Sequence, residues 1–137
     1  MTPRPPLTLR LTHRVTVQRE RGSATIQMVV LLPALFSLMF LGVQTALMYQ
    51  GRTIALAAAQ EGARAAAGET GSVSAGISAA STFVAATTAG LKGTTVSGSR
   101  TATEARITVV TRTVSVIPGW KPDISQSAVM PVEKLTR

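Results

Sequence analysis

Met28-Val29-Val30-Leu31-Leu32-Pro33-Ala34-Leu35-Phe36-Ser37-Leu38-Met39-Phe40-Leu41-Gly42-Val43 is the stretch on which the reading of this 137-residue chain turns. It lies at the heart of 29 consecutive uncharged positions, Ser23 to Gly51, with Arg19 and Arg21 standing just before them. About 20 apolar residues span the roughly 30 Å hydrocarbon layer of a bilayer. Only a helix crosses as a single segment with its backbone satisfied internally. Ten residues from Met28 to Ala46 are Leu, Ile, Val or Phe. Together they favour insertion by about 3–6 kcal/mol before the milder penalties of Pro33, Ser37, Gln44 and Thr45. The sequence predicts a membrane span.

The net charge of +8 could suggest nucleic acid, but its distribution favours a topological role. Up to Gly22, five arginines (Arg4, Arg10, Arg14, Arg19 and Arg21) face Glu20 alone, whereas from Arg52 on nine Lys or Arg face five acids over 86 residues. Basic residues beside a span hold their side in the cytoplasm. The expected topology puts residues 1–22 inside as a basic leader and the C-terminal part outside. A removable secretory signal is not expected. The apolar run exceeds the roughly 7–15 residues of a signal peptide, and the nearest A-x-A patterns lie in a helix-forming stretch beyond it.

The leader, Met1 to Gln18, contains Pro3, Pro5 and Pro6 and is expected to be extended or disordered. A helix is predicted from about Ala24 to Ala67, kinked or loosened at Pro33, which cannot donate to Val29. Thr53–Ala67 is rich in alanine, the strongest helix former, and Gly68 supplies a stop. The predicted organisation is a leader over 1–22, a transmembrane and stalk helix over 23–67 and an extracytoplasmic head over 68–137. Small residues recur along the helix at Gly42, Ala46, Gly51, Ala55, Ala59, Gly62 and Ala66. They reflect either alanine richness alone or a face that packs lengthwise on other helices.

After Gly71, Ser72 can cap a second helix carrying Val73, Ile77, Ala80, Val84 and Leu91 on one face. β-prone segments follow at Thr94–Ser99, Arg106–Ile117 and Ser127–Val132, the last at a sheet edge because of Pro131. The apolar parity slips from odd to even near Val109-Val110, which predicts a bulge or strong twist there. The fold class is α+β: a long N-terminal transmembrane helix, a second amphipathic helix and a small antiparallel sheet.

Chemistry has little to work with. There is no cysteine, and the one histidine, His13, lies in the leader. No nucleophile–base set, metal spacing or phosphate loop can be assembled. The reading is therefore non-enzymatic, with no catalytic residue, cofactor or metal. Trp120 is either a core anchor of the head or an exposed contact for a partner or membrane face. Arg100, Arg106 and Arg112 are the residues on which a minor DNA-binding reading would rest.

Arg21-Gly22-Ser23-Ala24-Thr25-Ile26-Gln27, the Val29–Leu32 run with Pro33, and Ala58-Ala59-Gln60-Glu61-Gly62-Ala63-Arg64-Ala65-Ala66 resemble the TadE-like proteins. These are pseudopilin-like components of the tight-adherence (Tad, type IVc) pilus machinery. The closing Ala128–Glu133 is similar to the family's last strand, less specifically. The resemblance implies a single-pass minor pseudopilin or assembly component of a Tad-type pilus or secretion system. Its partners would be membrane lipid, other pilin-like subunits and Tad assembly proteins, and a prepilin peptidase cutting between Gly22 and Ser23. The family usually carries Glu at the fifth mature position; here it is Gln27, which offers a hydrogen bond but no ion pair. Alternatively, Gly22 only marks a helix start and the chain is an uncleaved membrane-anchored scaffold or binding protein.

Overall fold

A single helix, α1 (Val17–Ala67), takes up both the apolar stretch and the alanine-rich stretch after it, and is continuous through Pro33. This is a computed structural model, and it describes residues 17–87 and 90–133, with side chains from residue 24 onward. The helix begins seven residues before Ala24 because Gln18, Arg19, Glu20 and Arg21 are all good helix formers, and only Gly22 is costly, at about 1 kcal/mol. The expected extended leader otherwise lies outside the described residues.

The chain divides into two compact units, Met1–Met39 and Phe40–Arg137. In the first, the described residues form α1 alone. In the second, α1 from Phe40 on is joined by α2 (Val73–Ala86) and by a three-stranded antiparallel sheet in the order β1 (Lys92–Arg100), β2 (Glu104–Arg112), β3 (Asp123–Pro131). The fold is α+β. The last part of α1 is thus a layer of the head.

Ser72 starts α2: its Oγ accepts from the Ala75 amide at 3.1 Å. The helix stops at Ala86, short of the expected Leu91, at the β-branched Thr87. The central strand decides which face is core. Ala105, Ile107, Val109 and Thr111 point inward and are buried, and Thr113 continues the alternation just past the strand end. Val110 lies on the outer face, while Val114 and Val116 are already beyond the strand. The parity slip in the sequence is therefore a strand end. β2 pairs with β3 in unbroken register from Glu104–Pro131 to Arg112–Asp123. The one shift lies in β1, between Lys92 and Thr95, where Gly93 takes a φ of +61°. β3 begins at Asp123, four residues earlier than expected, and Pro131 closes it at the sheet edge.

Small residues make the core thin and close. Among the described residues its buried apolar members are eight alanines (Ala55, Ala58, Ala59, Ala63, Ala66, Ala67, Ala80 and Ala105) with Ile107, Val109 and Ile124. At the centre α1 crosses α2 glycine to glycine. A Cβ built on Gly62 would lie 2.7 Å from the Gly76 carbonyl oxygen, and one on Gly76 would lie 2.7 Å from that of Gly62. Ile107 fills the space beside both, 3.1 and 3.0 Å from those two positions. The C-terminal end of α1 is tied off by the strands: Arg100 Nη2 donates to Gly68 O at 3.2 Å and the Glu133 amide to Ala67 O at 3.0 Å. A cation there also favours the negative end of the helix dipole.

Candidate membrane and partner interface

Every described side chain from Ala24 to Val43 is exposed, including Ile26 at 70%, Leu35 at 67% and Phe40 at 47%. The most apolar window of this helix has a mean hydropathy of 2.3, and none of it is covered by the described chain. Water-soluble surfaces rarely leave contiguous apolar patches of more than a few hundred Å² uncovered. Eighteen residues, 26–43, rise about 27 Å along a helix, close to the hydrocarbon thickness. Two hydroxyls in and just after the run are satisfied within the helix: that of Ser37 donates to Pro33 O at 2.8 Å and that of Thr45 to Leu41 O at 2.9 Å. The helix is long and apolar enough to cross a membrane and fits a membrane anchor.

The run ends at Gln44, whose part in the head the sequence does not announce. Gln44 is fully buried. Its Oε1 accepts from the Val116 amide at 2.9 Å and lies 3.2 Å from Ser115 Oγ. Its Nε2 is buried, with no hydrogen-bond partner among the described residues. From sequence alone, an amide directly after an apolar run reads as a small insertion penalty. Its real task is to hold the β2–β3 connection, and no local pattern in the sequence signals that pairing across about 70 residues.

Gly22 and Ser23 lie within α1, five and four residues before the exposed Gln27. The small-residue series divides. Gly51, Ala55, Ala59, Gly62 and Ala66 are buried, facing this chain's own sheet and α2, whereas Gly42 and Ala46 are exposed. Gly51 sits against Thr113 and Ile124. Most of the series therefore serves packing inside the head. Gly76, the partner of Gly62 in the crossing, carries no signal in the sequence, where it reads as one more small residue among Ser and Ala.

The charged residues are dispersed. Glu61 pairs with Arg64 at 2.9 Å, and Asp123 with Arg112 at 2.6 Å, both on the surface. Among the described residues no group of three or more His, Cys, Asp or Glu could hold a metal ion; His13 lies outside them. Arg100 pairs with Ala105 on the inner side of the sheet and binds α1, so it does not share a face with Arg106 and Arg112. Trp120 is 42% exposed, which makes it a surface residue of the β2–β3 connection and not a core anchor.

Residues 22–64 match the TadE-like protein family model. The TadE-like segment holds the exposed apolar run, Gln44 and the buried alanine face as far as Ala63. The similarity covers that segment of the chain. Comparison with curated proteins and with solved structures returned no match.

Proposed function

We propose that this protein is a single-pass membrane component of a Tad-type pilus or secretion system, acting as a minor pseudopilin or assembly factor and not as an enzyme. The observation that carries the reading is the coincidence of the TadE-like match over residues 22–64 with a helix whose apolar residues 26–43 are bare. Lipid solvates that stretch in the stored state, the basic N-terminal residues stay in the cytoplasm, and the α+β head lies outside. Neighbouring pilin-like helices approach along the same stretch, where Gly42 and Ala46 leave room.

A second reading, a permanently uncleaved anchor for an envelope scaffold, is favoured by two observations: Gln27 replaces an ionisable side chain, and Gly22-Ser23 is helical. A helical peptide bond must open locally before a peptidase takes it in extended form. Mass spectrometry of the membrane-extracted chain separates the two. An amino terminus at Ser23 supports the pseudopilin, and an intact leader supports the anchor. Failure to co-isolate with any pilus component under crosslinking would remove the Tad assignment itself.

A further inference from the structure

We infer that the β2–β3 connection, residues 113–122, is a second membrane contact: a foot that rests in the headgroup layer and takes anionic phospholipid headgroups. The inference depends on the membrane reading of α1 given above.

The connection closes on the paired Arg112 and Asp123, where a hairpin commonly needs only 2–5 residues. It spends its extra length on apolar surface: Val114, Val116 and Trp120 are 43%, 37% and 42% exposed. The segment is nonetheless held in one shape. The Ile117 amide donates to Ser115 Oγ at 3.1 Å and the Trp120 amide to Ile117 O at 3.3 Å. Gly119 turns the chain with a φ of +81°, a conformation that favours glycine.

Position supplies the occupant. The Val116 amide is bound to Gln44, the residue directly after Val43, and the exposed Phe40 and Leu41 lie one turn earlier on the same side of the helix. If Phe40–Val43 is in hydrocarbon, the foot lies in the headgroup layer, which is about 5–7 Å deep on each side. Tyr49, 74% exposed, is five residues further along, about 7.5 Å. Trp and Tyr concentrate at that depth because each has an apolar body and a polar tip. Lys121, beside Trp120, and Lys92 line a groove of about 430 Å³ under this segment. Among the described residues neither lysine pairs with a carboxylate, whereas Arg112 in the same groove does. Two unneutralised cations beside an interfacial tryptophan suit a lipid phosphate.

Trp120 is the only tryptophan in the chain and reports its own surroundings. The full-length protein is reconstituted into phosphatidylcholine vesicles with and without phosphatidylglycerol, and floated on a gradient. In the floated fraction Trp120 should be quenched by headgroup spin-labelled lipid. It should also be about threefold less accessible to acrylamide than the tryptophan of a control carrying Trp120→Phe and Ser97→Trp, on the outer sheet face. Phosphatidylglycerol should strengthen the lipid quenching, and Lys92→Glu with Lys121→Glu should abolish that gain. A chain that floats while Trp120 behaves like the control overturns the foot and leaves the membrane reading intact. A chain that does not float overturns both. Inorganic phosphate reproducing the phosphatidylglycerol effect assigns the groove to a soluble anion and overturns the lipid assignment.

Discussion

Replacing Gly62 with alanine sets two physical effects against each other, and the structure says which wins. Helix propensity alone predicts a gain of about 1 kcal/mol, because glycine is the poorer helix former. The crossing predicts a loss. The new methyl would lie 2.7 Å from the Gly76 carbonyl oxygen and 2.9 Å from Ala80 Cβ, so α1 and α2 must part by roughly 0.7 Å to restore ordinary contact. The nearest atom is backbone, so no rotamer change relieves it. Overpacking of this severity costs about 2–3 kcal/mol, at the upper end of its usual range, leaving a net destabilisation of about 1–2 kcal/mol. In detergent micelles that should lower the melting temperature of the head by roughly 5–15 °C. It should also speed hydrogen exchange at the Ile107 and Val109 amides by roughly 5–30-fold. Gly76→Ala should behave alike, and the double variant should cost less than the sum, since one separation of the helices accommodates both methyls. Gly42→Ala is the control: a methyl there meets nothing within 4 Å, and stability should hold or rise. A Gly62→Ala protein that melts at or above the parent temperature would refute the close crossing.

Other perturbations read separate parts of the account. Ile107→Ala, at a fully buried position between both helices and the sheet, should cost about 2–5 kcal/mol and show as loss of cooperative unfolding. Gln44→Leu removes the acceptor of the Val116 amide and should speed exchange at that amide by about 5–30-fold, corresponding to about 1–2 kcal/mol, while the sheet amides stay protected. Ser72→Ala deletes the cap of α2 and should lower stability by about 1 kcal/mol in the same melt, with Ser72→Asp restoring it.

Much of this fold was legible in the residues because it rests on local signals. The apolar run, the alanine stretch, Ser72 and the Thr/Val segments each declare an element through period or capping, and each element formed. Boundaries moved where tertiary pairing overrides propensity: β3 begins at Asp123 because Arg112 lies opposite it, although Asp and Ser are poor strand formers. The interface was half legible. A bare apolar helix can be read from composition, but small residues look the same whether they meet another subunit or the chain's own sheet. Only the fold assigns Gly51, Ala55, Ala59, Gly62 and Ala66 inward and leaves Gly42 and Ala46 outside. Gln44 was hidden for the same reason, since its partner lies beyond two helices and two strands in sequence.

The central claim is that lipid surrounds residues 26–43 while the head lies across the membrane from the basic N-terminus. The chain has no cysteine, so single cysteines report position without background. In intact cells, a membrane-impermeant maleimide should label Ser97→Cys on the outer face of the sheet and leave Leu35→Cys unlabelled until detergent is added. Equal labelling of the two in intact cells, or a Ser97→Cys that reacts only after lysis, would contradict the account.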